Sequence, residues 1–186
     1  MACMWFPQLS FSSVWVQILY CCGNTAPQVL PCKIDIVKHP REIDGKSTAV
    51  HAAVIAPDDV HIYTYPDLPH YSNQENVSIK RLRPKYCTVL IIKHTQSMTF
   101  YYHPSGLQCV ELTNRETLFW RYQRGKPHTY LATIEAIYYF LVDIHSHVLK
   151  AKYASEYDDL LFFFKFMFEK IHSIYDSQSL KAYKGV

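Results

Sequence analysis

The chain has 186 residues, 49% hydrophobic and 19% charged, so it can bury a core of ordinary size, and wholesale disorder is excluded. Lys and Arg number 19 against 16 Asp and Glu, a balance of +3 that excludes a histone-like polycation and leaves room for a local basic patch. The five glycines (Gly23, Gly45, Gly106, Gly125 and Gly185) form neither GxGxxG nor GxxxxGK[ST], which excludes a Rossmann dinucleotide cradle and a P-loop.

The first 32 residues carry no Asp, Glu, Lys or Arg. Within them, the apolar stretch from Trp5 to Leu19 is broken by Pro7, Gln8, Ser10, Ser12, Ser13 and Gln17. It falls short of the about 20 apolar residues of a spanning helix and lacks the basic start of a secretory signal. Residues 1–32 therefore read as an uncharged, atypical tail, with a weak signal peptide as the minor alternative. The run from Leu160 to Phe168 reads as core, not membrane. Six cysteines (Cys3, Cys21, Cys22, Cys32, Cys87 and Cys109) make no CxxC pair, which predicts free thiols in a reducing compartment.

Charge begins at Lys33, and predicted structure begins with it. Lys33 to Val37 alternates like a strand, and His39-Pro40 then forces an extended turn. Ser47 or Thr48 is a fitting N-cap for a short helix over Ala49–Ile55, which Pro57 stops. His61–Tyr65 is β-branched and aromatic, hence a strand ended by Pro66. Residues 70–86 are polar, with Lys80, Arg81, Arg83 and Lys85 around Pro84, and read as an exposed loop. Thr88–Ile92 reads as a buried strand, Thr99–His103 is ambiguous, and Leu107–Leu112 and Thr117–Trp120 read as two further strands. Ile134, Ile137, Leu141, Ile144 and Val148 recur at three and four, which predicts an amphipathic helix from about Thr133 to Lys152. Ser155 and Asp158 fit a capping-box start for a second helix, Leu160–Tyr175, apolar nearly all round and hence expected to be buried.

Three places can carry chemistry. His39-Pro40-Arg41-Glu42, followed by Ser47-Thr48 at a helix start, offers backbone N–H groups suited to a carboxylate or phosphate, or is an ordinary capped turn. Glu135, in the first turn after Thr133, complements the helix dipole; a functional role there would be to hold an ammonium group. Arg115, Arg121, Arg124 and Lys126 are interleaved with Phe119, Trp120 and Tyr122, a pattern equally consistent with a solvated basic loop and an RNA contact. His145 and His147 stand two apart on a helix and face different sides, so they make no chelate, and no metal site is expected.

Together these segments resemble the DTW-domain family. The resemblance rests on Lys38-His39-Pro40-Arg41-Glu42, Asp44-Gly45-Lys46-Ser47-Thr48-Ala49 and Ile62-Tyr63-Thr64-Tyr65-Pro66. It rests equally on Phe119-Trp120-Arg121, Gly125-Lys126-Pro127 and the run from Thr133 to Val142. It implies an α/β fold, a SPOUT-like (knotted) domain over residues 33–176 with two packed C-terminal helices, incomplete in the middle at 70–106, and a tail over 177–186. The activity it implies is transfer of the 3-amino-3-carboxypropyl group of S-adenosylmethionine to N3 of a D-loop uridine in tRNA. His39, Glu42, Ser47, Thr48, Thr133 and Glu135 would then lie against the cosubstrate, and Arg115, Arg121, Arg124 and Lys126 against RNA phosphates. A nuclear or cytoplasmic location follows from the same resemblance.

The family's D-x-T-W signature corresponds here to Lys93-His94-Thr95-Gln96, which matches at Thr95 alone. This chain is then either an alternatively spliced or mispredicted product lacking core pieces or a divergent copy that keeps the scaffold without the chemistry. The alternative function is a catalytically dead, RNA-binding relic. A third class, a helical interaction module built on residues 162–168, predicts oligomers in solution.

Overall fold

The computed structural model describes residues 27–42, 44–69, 88–92, 112, 114–120 and 127–175, with side chains for all but residues 46 and 88–92. Strand β1 (Lys33–Lys38), helix α1 (Ala49–Ile55) and strand β2 (Val60–Thr64) make a parallel β-α-β unit. Strand β3 (Thr88–Ile92) pairs with the other edge of β1, again parallel, giving the order β2-β1-β3. The registers set Ile34 opposite Val60 and Val89, and Val37 opposite Tyr63 and Ile92. The sequence-predicted strands at 33–37, 61–65 and 88–92 fall within one residue of these bounds.

A central parallel strand is covered on both faces, and β1 buries Ile34, Asp35, Ile36 and Val37 in succession. Ile34 and Ile36 join the main core with Ala49, Ala52 and Ile55 of α1 and Val60 of β2. On the opposite face Asp35 lies 3.6 Å from His61 Nδ1 and accepts a hydrogen bond from Tyr63. The core reaches upstream of Lys33, because Leu30 and Cys32 are buried in it. Asp59 holds that entry, accepting the Leu30 N–H at 2.8 Å and pairing with Lys33 at 2.7 Å.

Helix α2 (Thr133–Asp143) begins where the periodicity predicts and ends earlier. Past Asp143 the chain winds as a π-helix, Ile144–Val148, closed by Leu149 N–H to Ile144 C=O at 3.0 Å. A wider turn rotates the apolar face out of register. Ile134, Ile137 and Leu141, ahead of that turn, are fully buried, while past it Val148 is turned to solvent and His145 is turned inward. Lys150, at φ 51°, takes the left-handed conformation that ends the run before the predicted limit at Lys152.

Helix α3 (Phe162–Ile174) is preceded by a 3-10 turn, Asp158–Leu161. Burial on all sides, expected from its composition, is not observed. Phe163 and Phe164 are buried, while Lys165, Glu169, Lys170 and His172 are exposed. Asp158 serves as an acceptor hub at this junction, taking the Tyr153 hydroxyl at 2.6 Å and the Tyr138 hydroxyl at 2.9 Å. The Tyr153 hydroxyl is the main cause holding its carboxyl below the ordinary range. Replacing Asp158 with Ala strips both hydroxyls of a charged acceptor and is expected to cost about 1–3 kcal/mol by denaturant unfolding. Tyr153→Phe should remove part of the same sum, and the double variant should fall short of additivity.

Candidate active site

The strand order sets where a site belongs. In the order β2-β1-β3 the chain passes from β1 out to β2 and then back to β3 on the far side of β1, and in an open parallel sheet the crevice at such a reversal lies outside the carboxyl ends of the strands. Here β1 ends at Lys38 and runs straight into His39, and β3 ends level with Val37. Tyr65 N–H donates to Lys38 C=O at 3.0 Å, so β2 reaches the same edge, where Tyr65-Pro66 is a cis peptide.

The loop after β1 is tightly knit. His39 is buried, and its Nδ1 accepts the Arg41 N–H at 3.0 Å, which leaves the proton of a neutral ring on Nε2. Glu42 N–H donates to His39 C=O at 2.9 Å, and Lys38 pairs with Asp44 across the loop. Ser47 N–H bonds Asp44 C=O at 3.1 Å, and Ser47 Oγ accepts the Ala49 N–H at 3.3 Å, so Ser47 supplies the hydroxyl bond at the start of α1. Thr48, in the N-cap position, makes no cap bond to its own helix. Its Oγ1 accepts the Ile134 N–H at 3.3 Å, across 86 residues of chain. That bond joins the start of α1 to the first turn of α2.

Glu135 is placed beside this junction, 3% exposed. Its carboxylate is already engaged by the chain: Oε2 accepts the Thr117 hydroxyl at 2.6 Å and the Ala132 N–H at 2.7 Å, and Oε1 accepts the Leu118 N–H at 2.7 Å. The bond to Ala132 is half of a capping box, since an alanine N-cap has no oxygen to return. Three short, charge-assisted bonds satisfy most of what a carboxylate can accept. Three groups of the chain itself thus engage this carboxylate, in addition to the dipole complementation expected of an acid in the first helical turn.

Those bonds also explain why Thr117–Trp120 is not the strand expected there. Its N–H groups go to the Glu135 carboxylate, to Thr117 Oγ1 (from Phe119, 3.0 Å) and to His128 C=O (from Thr117, 2.8 Å), not to a neighbouring strand. Trp120 is core, its ring 4.6 Å from Phe119 and 5.2 Å from Phe164, so it is spent on packing and not on stacking with bases. Arg115 lies over the Tyr139 ring at 4.8 Å and pairs with Asp143 at 2.9 Å, with about a third of its side chain exposed (34%). Arg121, Arg124 and Lys126 lie outside the described residues, as does all of the expected strand Leu107–Leu112 except Leu112. A groove of about 110 Å³ opens between this segment, α2 and α3, lined by Leu118, Tyr139, Phe164 and Phe168, with Glu135 at one side.

A family profile described as the DTW domain matches residues 93–172. The tRNA-uridine aminocarboxypropyltransferase 1 of Mus musculus is 39% identical over 217 residues, covering 81% of this chain and 71% of the relative. The chain belongs to the DTW-domain family. The protein of the same name from Xenopus tropicalis is 37% identical, over 77% of this chain and 68% of its own length. That of Homo sapiens is 40% identical, over 75% and 65%. No solved structure matches.

In this DTW-domain protein the profile takes in Arg115, Thr117 and Glu135 and leaves residues 39–48 to the longer alignments. The match to the mouse relative is itself longer than the 186 residues of the chain, so the relative carries residues without a counterpart here. Thr117 is the site residue that sequence reasoning passed over. A lone threonine in a polar turn gives no signal of its own, and the Glu three residues after Ala132 points only to its own helix start. Among the described residues no group of three or more His, Cys, Asp or Glu could hold a metal, and no helix is long and apolar enough to cross a membrane.

Proposed function

We propose that the chain is a tRNA-uridine aminocarboxypropyltransferase with S-adenosylmethionine as cosubstrate, working at the carboxyl edge of the parallel sheet. The single observation that supports the site is the Thr48–Ile134 hydrogen bond, which joins two segments of the family resemblance at that edge. The reaction is displacement at the carbon beside a sulfonium: uridine N3 forms the new C–N bond, the C–S bond breaks, and methylthioadenosine leaves with the bonding pair. Alignment of the nucleophile with the C–S bond is then the protein's main contribution, together with removal of the N3 proton. In this reading His39, Glu42 and Thr133 border the cosubstrate, and Ser47 and Thr48 hold the loop that carries them. Arg115, Arg121, Arg124 and Lys126 meet RNA phosphates, Arg115 exchanging Asp143 for phosphate. A SPOUT-like, knotted arrangement of the chain around this edge is part of the proposal.

The test is incubation of the purified chain with unmodified tRNA and S-adenosylmethionine labelled in the aminocarboxypropyl group. The expected result is labelled aminocarboxypropyluridine, with methylthioadenosine released in equal amount. A second reading is favoured by Lys93, which stands where the signature has an acid: an ammonium cannot accept the N3 proton. A relic of that kind binds tRNA with an affinity that falls steeply with salt and yields no product. A folded chain that neither binds tRNA nor forms product rejects both.

A further inference from the structure

Glu135, Tyr139 and Asp143 follow one another at intervals of four along α2, so their side chains share one stripe of the helix. The segment 115–118 lies along that stripe. At one end Glu135 accepts the Thr117 hydroxyl and the Leu118 N–H. At the other, Arg115 stands over the Tyr139 ring and donates from Nη2 to Asp143 Oδ1 at 2.9 Å. The two ends differ in how well they are satisfied. Glu135 is buried under three short bonds. Arg115 and Asp143 keep 34% and 36% of their side chains exposed and meet through one nitrogen and one oxygen. Arg115 Nε is buried, and among the described residues it has no hydrogen-bond partner. Nε and Nη2 form one edge of the guanidinium fork, which an oxyanion meeting it squarely bridges with two parallel bonds. The contact with Asp143 makes one of the two and leaves the other donor orphaned, so the ion pair is half-made and, being a third exposed, weak.

We propose that Asp143 is a positioning residue that stands in for an RNA phosphate: it parks Arg115 on α2 in the free chain and competes with the tRNA backbone for the guanidinium. The inference rests on the tRNA reading above and deepens it by setting a threshold on phosphate binding at this arginine. A phosphate that offers Arg115 a single bond gains nothing by displacing a carboxylate already in contact. One that reaches the Nε–Nη2 edge takes two charge-assisted bonds where Asp143 took one, and gives the orphaned Nε its acceptor. Only the well-placed phosphate then draws on Arg115, which is discrimination by a built-in competitor.

The experiment titrates tRNA into wild type, Asp143→Asn, Arg115→Gln and the double variant at several salt concentrations. Asp143→Asn is expected to lower the tRNA dissociation constant about two- to fivefold, the scale of a partly exposed ion pair. Arg115→Gln should weaken binding and flatten the dependence of log affinity on log salt by about 0.7–0.9, the loss of one phosphate contact. In the Arg115→Gln background, Asp143→Asn should add nothing, because the competitor has lost what it competes for. An equal gain in both backgrounds makes Asp143 a general repeller of RNA and overturns the proposal. The Arg115 Nε–H resonance of the wild type should move on saturation with tRNA; a stationary resonance overturns the proposal even where a variant fails to fold. Wild type and Asp143→Asn both failing to bind tRNA overturns the functional reading and the proposal together. A wild type that binds, with an Asp143→Asn variant that binds no better, overturns the proposal alone.

Discussion

Phe163→Ala is expected to lower the unfolding free energy by about 3–5 kcal/mol, the range for truncating a buried phenylalanine. Phe163 is fully buried, with its ring 5.2 Å from Phe162 and 5.7 Å from His51 of α1, so the cavity opens between α3 and α1. Natural domains hold about 5–15 kcal/mol in all, so the variant should be near the edge of folding at room temperature. Ile174→Ala, on the same helix but 61% exposed, should change stability by no more than about 0.5 kcal/mol. Urea unfolding of the pair checks this: the midpoint should shift for Phe163→Ala alone, with the slope unchanged. A loss below about 1 kcal/mol would mean that α3 does not close the core, and its place against α1 would have to be redrawn.

The same helix shows what the sequence can and cannot convey. Its apolar richness led to an expectation of burial on every side, because composition counts side chains and not their angular placement. The exposed Lys165, Glu169, Lys170 and His172 mark a solvent face that the five phenylalanines from 162 to 168 obscured. Strands β1 and β2 were legible because their patterning and a following histidine-proline or proline agreed, and β3 because Thr88–Ile92 is a short, β-branched apolar run. The end of α2 was not legible. A single π turn shifts the face by one residue, and nothing in Ile144–Val148 announces it. For the candidate site, the grouping of 39–48 with 133–135 came from family resemblance. Its physical cause, a threonine hydroxyl spending its bond on another helix, is a tertiary choice that local propensity does not encode. The same holds for Thr117, whose partner lies 18 residues away.

Acid should expose the second large effect, at His51. Burial lowers this imidazole from 6.5 to about 4 in the folded chain, so the folded state excludes a proton that the unfolded state accepts. Above pH 6.5 both states are neutral there, and the group does not affect stability. As pH falls from 6.5 towards 4 the unfolded chain gains the proton first, so stability drops; below about 4 both states are charged and the loss stops growing. At about 1.4 kcal/mol per unit, the total loss is about 3 kcal/mol. Comparing wild type with His51→Leu at pH 7 and pH 4.5 isolates this contribution, since all other groups titrate alike in both. The wild type should lose more, and equal losses would remove burial as the cause. Phe163 sharpens the argument, because its ring packs on His51. A cavity at 163 beside a polar imidazole can admit water, and a hydrated imidazole titrates nearer 6.5. Phe163→Ala should therefore be less stable at neutral pH and yet depend less on pH in the acid range than the wild type. A full wild-type slope in that variant would show that α1 and the sheet, not α3, keep water from His51.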